Sequence, residues 1–232
     1  MRVSLPQADM HVLRLKKGLR LGKRQMLLLA SSVLWLGIVG AGLGVLWDFE
    51  NRPGVAAQPP AQWPADSRLE PATDRPTLVM LAHPRCSCTH ASIGELAELM
   101  AQASVRPQTY VLFLKPAQFA HDWEKSSLWH SAAAIPNVAV VRDDDGLEAH
   151  RFGAATSGQT MLYDANGRLL FSGGITGSRG HAGDNAGRTA ILALLHRETS
   201  GRDSSFVFGC SLFASDNQYQ SQEARPHVRP GE

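Results

Sequence analysis

The spacing of hydrophobic and polar positions changes several times along the chain. From Gln25 to Trp47 no residue is charged, and Met26–Leu46 is mostly Leu, Val, Ile, Ala and Gly. As a helix, the 23 residues 25–47 rise about 35 Å at roughly 1.5 Å per residue, enough to cross a hydrocarbon layer of about 30 Å. This apolar core is longer than the roughly 7–15 residues of a cleaved signal peptide. The small-residue stretch at Val55-Ala56-Ala57 lies well past its end. One transmembrane helix is therefore expected at 25–47. Residues 48–76 then lose all hydrophobic period and carry Pro53, Pro59, Pro60, Pro64, Pro71 and Pro76. That composition predicts a Pro/Ala-rich, semi-extended linker holding a domain off the membrane.

From Thr77 the pattern becomes that of a folded domain. Thr77–Ala82 is a short continuous apolar run, suited to a buried strand. Ile93, Leu96, Ala97, Met100 and Ala103 follow at helical spacing. Thr109–Leu114 reads as a second strand, Phe119–Ala134 as a helix ended by Pro136, and Val138–Val141 as a third strand. Leu147–Phe152 suits a short helix. Thr160–Tyr163 and Arg168–Ser172 flank Asp164-Ala165-Asn166-Gly167, a turn that predicts a β-hairpin. After a glycine-rich loop, Asp184 or Asn185 is placed to cap a last helix running to about His196. The order β-α-β-α-β-α-β-β-α implies an α/β domain over 77–197: a mixed central sheet flanked by helices. Residues 198–232 read as a polar tail, interrupted by an apolar island around Cys210, with 214–232 expected to be disordered.

Charge adds an orientation. The formal net charge is +2, yet residues 1–24 hold Arg2, Arg14, Lys16, Lys17, Arg20, Lys23 and Arg24 against Asp9 alone. The rest of the chain is therefore net acidic. The positive-inside rule puts residues 1–24 in the cytoplasm and everything after Trp47 outside it, in a periplasmic or other extracytoplasmic space. Such a space is oxidising, so cysteine pairs can cycle there. The body has no basic stripe, which argues against a nucleic-acid partner. Asp143-Asp144-Asp145 lacks the spacing of a calcium loop and reads as a charged turn.

The candidate chemistry lies between the first strand and the first helix, in His83-Pro84-Arg85-Cys86-Ser87-Cys88-Thr89-His90. A cysteine at a helix N-terminus meets unpaired N–H groups and the positive end of the dipole, which favour thiolate. Arg85, His83 and His90 would strengthen this if they approach the sulfur. Ser92 and Glu95 also fit a capping box, which would start the helix one turn later. The Cys-X-Cys pair closes a smaller ring than Cys-X-X-Cys, and a strained disulfide is easier to reduce. Cys210, the third of the chain's three cysteines, is either a resolving thiol or an inert packed one. Arg179 and His181 lie in a loop from which they could approach the active face, although solvent-facing polarity is the reading such a loop favours.

This order of elements around a cysteine pair resembles the thioredoxin-like superfamily. It is most similar to the peroxiredoxin and TlpA-like branch, which carries an extra helix and strand after the first helix. The stretch Ala149–Phe171 is similar to that branch's block through the hairpin, and the whole resembles membrane-anchored bacterial proteins of the RedB type. The resemblance covers about residues 77–196. The chain departs from it twice: the usual Cys-X-X-Cys is shortened, and the cis-proline facing the cysteines is replaced by Gly158, in Thr156-Ser157-Gly158-Gln159-Thr160. A non-proline cis bond costs about 2.5–4 kcal/mol, so a trans bond or rebuilt loop is expected.

The function these readings imply is a membrane-anchored thiol–disulfide oxidoreductase acting on protein thiols or disulfides, with no cofactor. Cys86 and Cys88 are its catalytic thiols, Cys210 a candidate resolver, and His83, Arg85, His90, Ser157 and Gly158 candidate supporting residues. An alternative is a copper(I)-binding or delivery module using Cys86, Cys88, His83 and His90, since soft thiolates suit that ion. A second alternative is a thiol peroxidase, and a third is a redox-inert scaffold for protein contact.

Overall fold

A computed structural model describes residues 22–198 and 200–213. The chain divides into two compact units, Met1–Leu46 and Trp47–Glu232. Helix α1 (Lys23–Asn51) begins in the first and has no buried residue. It is long and apolar enough to cross a membrane.

The second unit is an α/β domain. Its elements are β1 (Thr77–Ala82), α2 (Ser87–Gln102), β2 (Gln108–Lys115), α3 (Ser127–Ala133), β3 (Val138–Asp144), α4 (Leu147–Arg151), β4 (Thr160–Tyr163), β5 (Leu169–Gly173) and α5 (Ala186–Leu195). The five strands lie in the order β3-β2-β1-β4-β5. β1, β2 and β3 pair in parallel, while β4 and β5 run antiparallel. The sheet is mixed and flanked by helices, as the sequence order implied.

β1 shows why its sequence is a continuous apolar run: all six of its residues are buried. Leu78, Met80 and Ala82 pack with Val111, Phe113, Leu96, Leu99, Ile191 and Leu195 on one face. Val79 and Leu81 pack with Leu112, Leu114, Met161, Tyr163 and Phe152 on the other. With successive side chains on opposite faces and helices or loops covering both, alternation has nothing polar to show.

The helix expected over Phe119–Ala134 is shorter. Residues 117–124 form turns, Asp122 takes a left-handed φ of 67°, and α3 begins only at Ser127. The aromatic residues that suggested helical period stack instead across those turns, with Phe119 and Trp123 rings 4.5 Å apart.

Residues 51–76 do not stand off the domain as a spacer. Gln58 N–H donates to Gly153 O, Trp63 N–H to Gly167 O, and Leu169 N–H to Ala61 O. Trp63 packs edge-on against Phe152 and Tyr163, and Leu69 and Ala72 are buried. The described part of the tail behaves in the same way. Ser172 N–H donates to Asp203 O, Gly54 N–H to Val207 O, and Leu212 N–H to Ala155 O. Together these two segments take up backbone groups of β5, which would otherwise be an open sheet edge. Folded structure therefore extends on both sides of 77–197. Residues 214–232, expected to be disordered, and the basic residues 1–21 lie outside the described part.

Candidate functional site

The site forms where β1 ends. Gly158 N–H donates to Leu81 O at 2.7 Å and Leu81 N–H to Gln159 O at 2.9 Å, so the loop before β4 lies against the end of β1. Ser157 ties the two together. Its Oγ accepts from His83 N–H at 2.8 Å and hydrogen-bonds Thr89 Oγ1 at 2.6 Å. Gly158 takes φ +88°, and a Cβ there would lie 2.9 Å from Ser92 Oγ. The loop is thus rebuilt around a left-handed glycine, and the described residues contain no cis peptide bond.

Pro84 and Arg85 turn the chain into α2. Cys86 is the N-cap residue, with extended backbone at φ −93° and ψ 121°. The helix starts at Ser87, not at the later capping box. Ser92 Oγ instead donates to Cys88 O at 3.2 Å. Glu95 binds elsewhere, accepting from Gly183 N–H and Asn185 Nδ2 and pairing with Arg188 at 2.7 Å. Cys88 therefore sits in the first turn of α2, one residue past the cap's neighbour.

The tail brings a third sulfur to this point. Ser157 N–H donates to Cys210 O at 2.8 Å. Gly209 passes so close that a Cβ on it would lie 1.9 Å from Ser157 O; no larger residue fits without moving backbone. The Cys210 and Cys88 sulfhydryls both hydrogen-bond to the Cys86 sulfur, and the Thr89 and Cys210 N–H groups add to them. These bonds, Cys210's first, hold the Cys86 thiol far below the ordinary thiol range, although burial works the other way. The Cys88 thiol is pushed far up, first by its bond to Cys86, then by burial and by Cys86's charge. The Cys210 thiol is pushed up by the same causes in the same order. All three are free cysteines in this structure.

Of the two readings of Arg179, the structure favours approach to the active face over solvent-facing polarity. Its Nη1 donates to Gly209 O at 2.8 Å, and its charge favours the thiolates of both Cys88 and Cys210. Nothing in its local sequence signals this, because it depends on where the tail docks. His181 stays exposed, its ring bonded to Arg179 O within its own loop.

The supporting residues divide. His83 is buried behind Cys86, with Nδ1 accepting from Arg85 N–H at 3.2 Å and its ring edge-on to Trp123. Burial lowers its pKa to about 4, while the charge of Cys86 raises it and that of Arg85 lowers it. Arg85 is exposed and lies over the Trp123 ring at 5.3 Å. His90 is exposed on α2. The four-residue copper set therefore combines three buried residues with one exposed histidine, and no metal-ligand group of three or more His, Cys, Asp or Glu occurs among the described residues.

No family model and no curated protein matches the chain. Among solved structures it is similar to an uncharacterized conserved protein from Geobacillus kaustophilus, at 20% identity over 71% of this chain and 93% of that one, with a TM-score of 0.51. Weaker likenesses include the pneumococcal exposed lipoprotein thioredoxin from Streptococcus pneumoniae, at 17% identity over 54% and 86% with a TM-score of 0.39. Another is a secreted Mycobacterium tuberculosis disulfide oxidoreductase, at 13% over 53% and 81% with a TM-score of 0.37. At these identities the likeness concerns the fold. The sheet order, the helices on both faces and the cysteine pair opening α2 define an α/β domain of thioredoxin-like fold, a mixed five-stranded sheet flanked by helices, with an apolar helix before it.

Proposed function

We propose that the protein is a membrane-anchored, extracytoplasmic thiol–disulfide oxidoreductase of RedB-like type, acting on protein thiols or disulfides. The observation that carries this reading is the gathering of three cysteines at the start of α2: Cys86 caps the helix, Cys88 lies in its first turn, and Cys210 is tied through its carbonyl to Ser157, whose hydroxyl binds Thr89 of that turn. A helix N-terminus favours the thiolate, and the thiolate is the form that attacks a disulfide. In the catalytic step the Cys86 thiolate attacks a substrate disulfide sulfur and forms a mixed disulfide, expelling one substrate thiolate. Cys88 gives up its proton and attacks the Cys86 sulfur, releasing the second substrate thiolate and leaving a Cys86–Cys88 disulfide. Ser157 holds the loop facing the cysteines, and His83 fills the space behind Cys86 as a neutral imidazole. The α1 helix supplies the anchor, and the basic residues before it set the cytoplasmic side.

The test is the rate at which the purified chain, with dithiothreitol as electron donor, reduces insulin disulfides. Activity should fall at least about a hundredfold in Cys86→Ser, because the attacking group is gone. A wild-type rate no faster than that of Cys86→Ser contradicts the proposal. Consumption of hydrogen peroxide without insulin reduction would move the assignment to a thiol peroxidase. Stoichiometric copper(I) binding without exchange activity would move it to a metal carrier.

A further inference from the structure

The three cysteines are not equally placed. Cys86 and Cys88 are buried, at 1% and 6% exposure, whereas Cys210 is only half-buried. Cys210 also rides on a strap, residues 203–212, that docks against β5 and the loop before β4 that faces the cysteine pair. The strap is held by backbone bonds to Ser157, Gly54, Ser172 and Ala155 and by the Arg179 guanidinium on Gly209 O. Cys210 is the most exposed of the three cysteines, the one a partner protein approaching this face reaches most readily.

We infer that Cys210 is the outer exchange thiol of this site: protein partners react at the Cys210 sulfur, and the Cys86–Cys88 pair communicates with them through a Cys86–Cys210 disulfide. This deepens the oxidoreductase reading and rests on it: Cys86 and Cys88 remain the redox pair, and the contact with the partner moves from Cys86 to Cys210. Starting from the Cys86–Cys88 disulfide, the Cys210 thiolate attacks the Cys86 sulfur. The Cys86–Cys88 bond breaks, the Cys86–Cys210 bond forms, and the proton lost by Cys210 ends on Cys88. No electrons are gained or lost in this exchange. A partner dithiol then attacks the Cys210 sulfur through its thiolate and expels Cys86 as thiolate. The partner's second thiol attacks its own mixed sulfur and releases Cys210, which takes up a proton. The partner leaves as a disulfide and the protein holds three thiols. Run backwards, the same steps reduce a partner disulfide.

Two features favour attack at the outer sulfur. It is the accessible one, and it expels the thiolate that the site stabilises, the faster leaving group. Attack on Cys86 would have to reach a residue only 1% exposed and would expel Cys210, a poor leaving group. Arg179 faces both Cys88 and Cys210, so its charge supports the thiolate that attacks and the one that leaves in the internal exchange. It is a positioning residue for the strap as well as an electrostatic one.

The experiment uses the full chain in detergent, oxidised, with reduced thioredoxin as the dithiol probe and acid quenching before mass spectrometry. A thioredoxin variant lacking its second cysteine traps the mixed disulfide. In the wild type the trapped bond should lie on Cys210, and Cys88→Ser should still form a Cys86–Cys210 disulfide. In Cys210→Ser, which keeps a hydroxyl donor near Cys86, the Cys86–Cys88 bond should still form but react with thioredoxin at least about tenfold more slowly, since rate follows access and leaving group. Trapping on Cys86 or Cys88 in the wild type, or an undiminished rate in Cys210→Ser, overturns the inference and leaves the oxidoreductase reading standing. If no variant or wild type forms any internal disulfide, both fail together.

Discussion

At the scale of single residues, His83 gives the cleanest consequence of burial. A buried imidazole whose pKa is lowered to about 4 stays neutral at pH 7. In the unfolded chain it titrates near 6.5, so between these values the unfolded state binds the extra proton. Stability is therefore complete above about pH 6.5, falls as pH drops toward 4, and gains no further loss from His83 below that. At 1.36 kcal/mol per unit the full loss from this residue is about 3 kcal/mol. Denaturant unfolding of wild type and His83→Gln at pH values from about 7 to 5 should show a shallower fall in the variant. Equal slopes would mean that His83 is not the group that titrates. The same residue shows what sequence can and cannot tell. Its position next to the cysteine pair was legible, but its role as a buried spacer rather than an exposed helper was not, because that depends on Ser157 and Trp123 coming from distant parts of the chain. The choice between the two readings of Arg179 was not legible for the same reason, since its partner Gly209 lies 30 positions away.

At the scale of elements, the apolar runs identified the strands of the sheet and the hairpin well, since both follow from side-chain period and turn residues. What they did not reveal was structure made by the backbone alone. Residues 51–76 and 203–212 lie along β5 and the loop before β4 through main-chain hydrogen bonds, which leave no period in the side chains. Proline in the first segment looked like spacing, yet it also suits a chain lying extended along a sheet edge. The start of α2 is similar: two segments could cap the helix by sequence, and Cys86 holds the position because Glu95 is drawn away to Arg188 and Asn185. The strap's closeness to the site rests on Gly209. Gly209→Ala would place a Cβ 1.9 Å from Ser157 O, where backbone must yield. The expected cost is about 1–3 kcal/mol, as for other overpacked sites. The strap should lift enough that Cys86 loses the Cys210 sulfhydryl, and its thiolate titration, followed by ultraviolet absorbance, should move up toward the ordinary thiol range. A variant with the wild-type titration would show that the strap's contact with Cys86 does not depend on this close approach.

At the scale of the whole molecule, the sequence showed the division into an apolar helix and an α/β domain, but drew the domain too small. Leu69, Ala72, Val207, Phe208 and Leu212 are all buried in it although they lie outside 77–197. The functional reading needs this larger domain, because one of its three sulfurs comes from the last described segment. The central claim is that these sulfurs form a working redox centre. A thiol-trapping redox titration of the full chain, with mass spectrometry to locate each bond, tests it most directly. The account predicts a reversible internal disulfide at Cys86, with a midpoint potential of roughly −120 to −270 mV, the span of known exchange catalysts. Three cysteines that stay reduced across that span, with no bond to Cys86 at any potential, would contradict it.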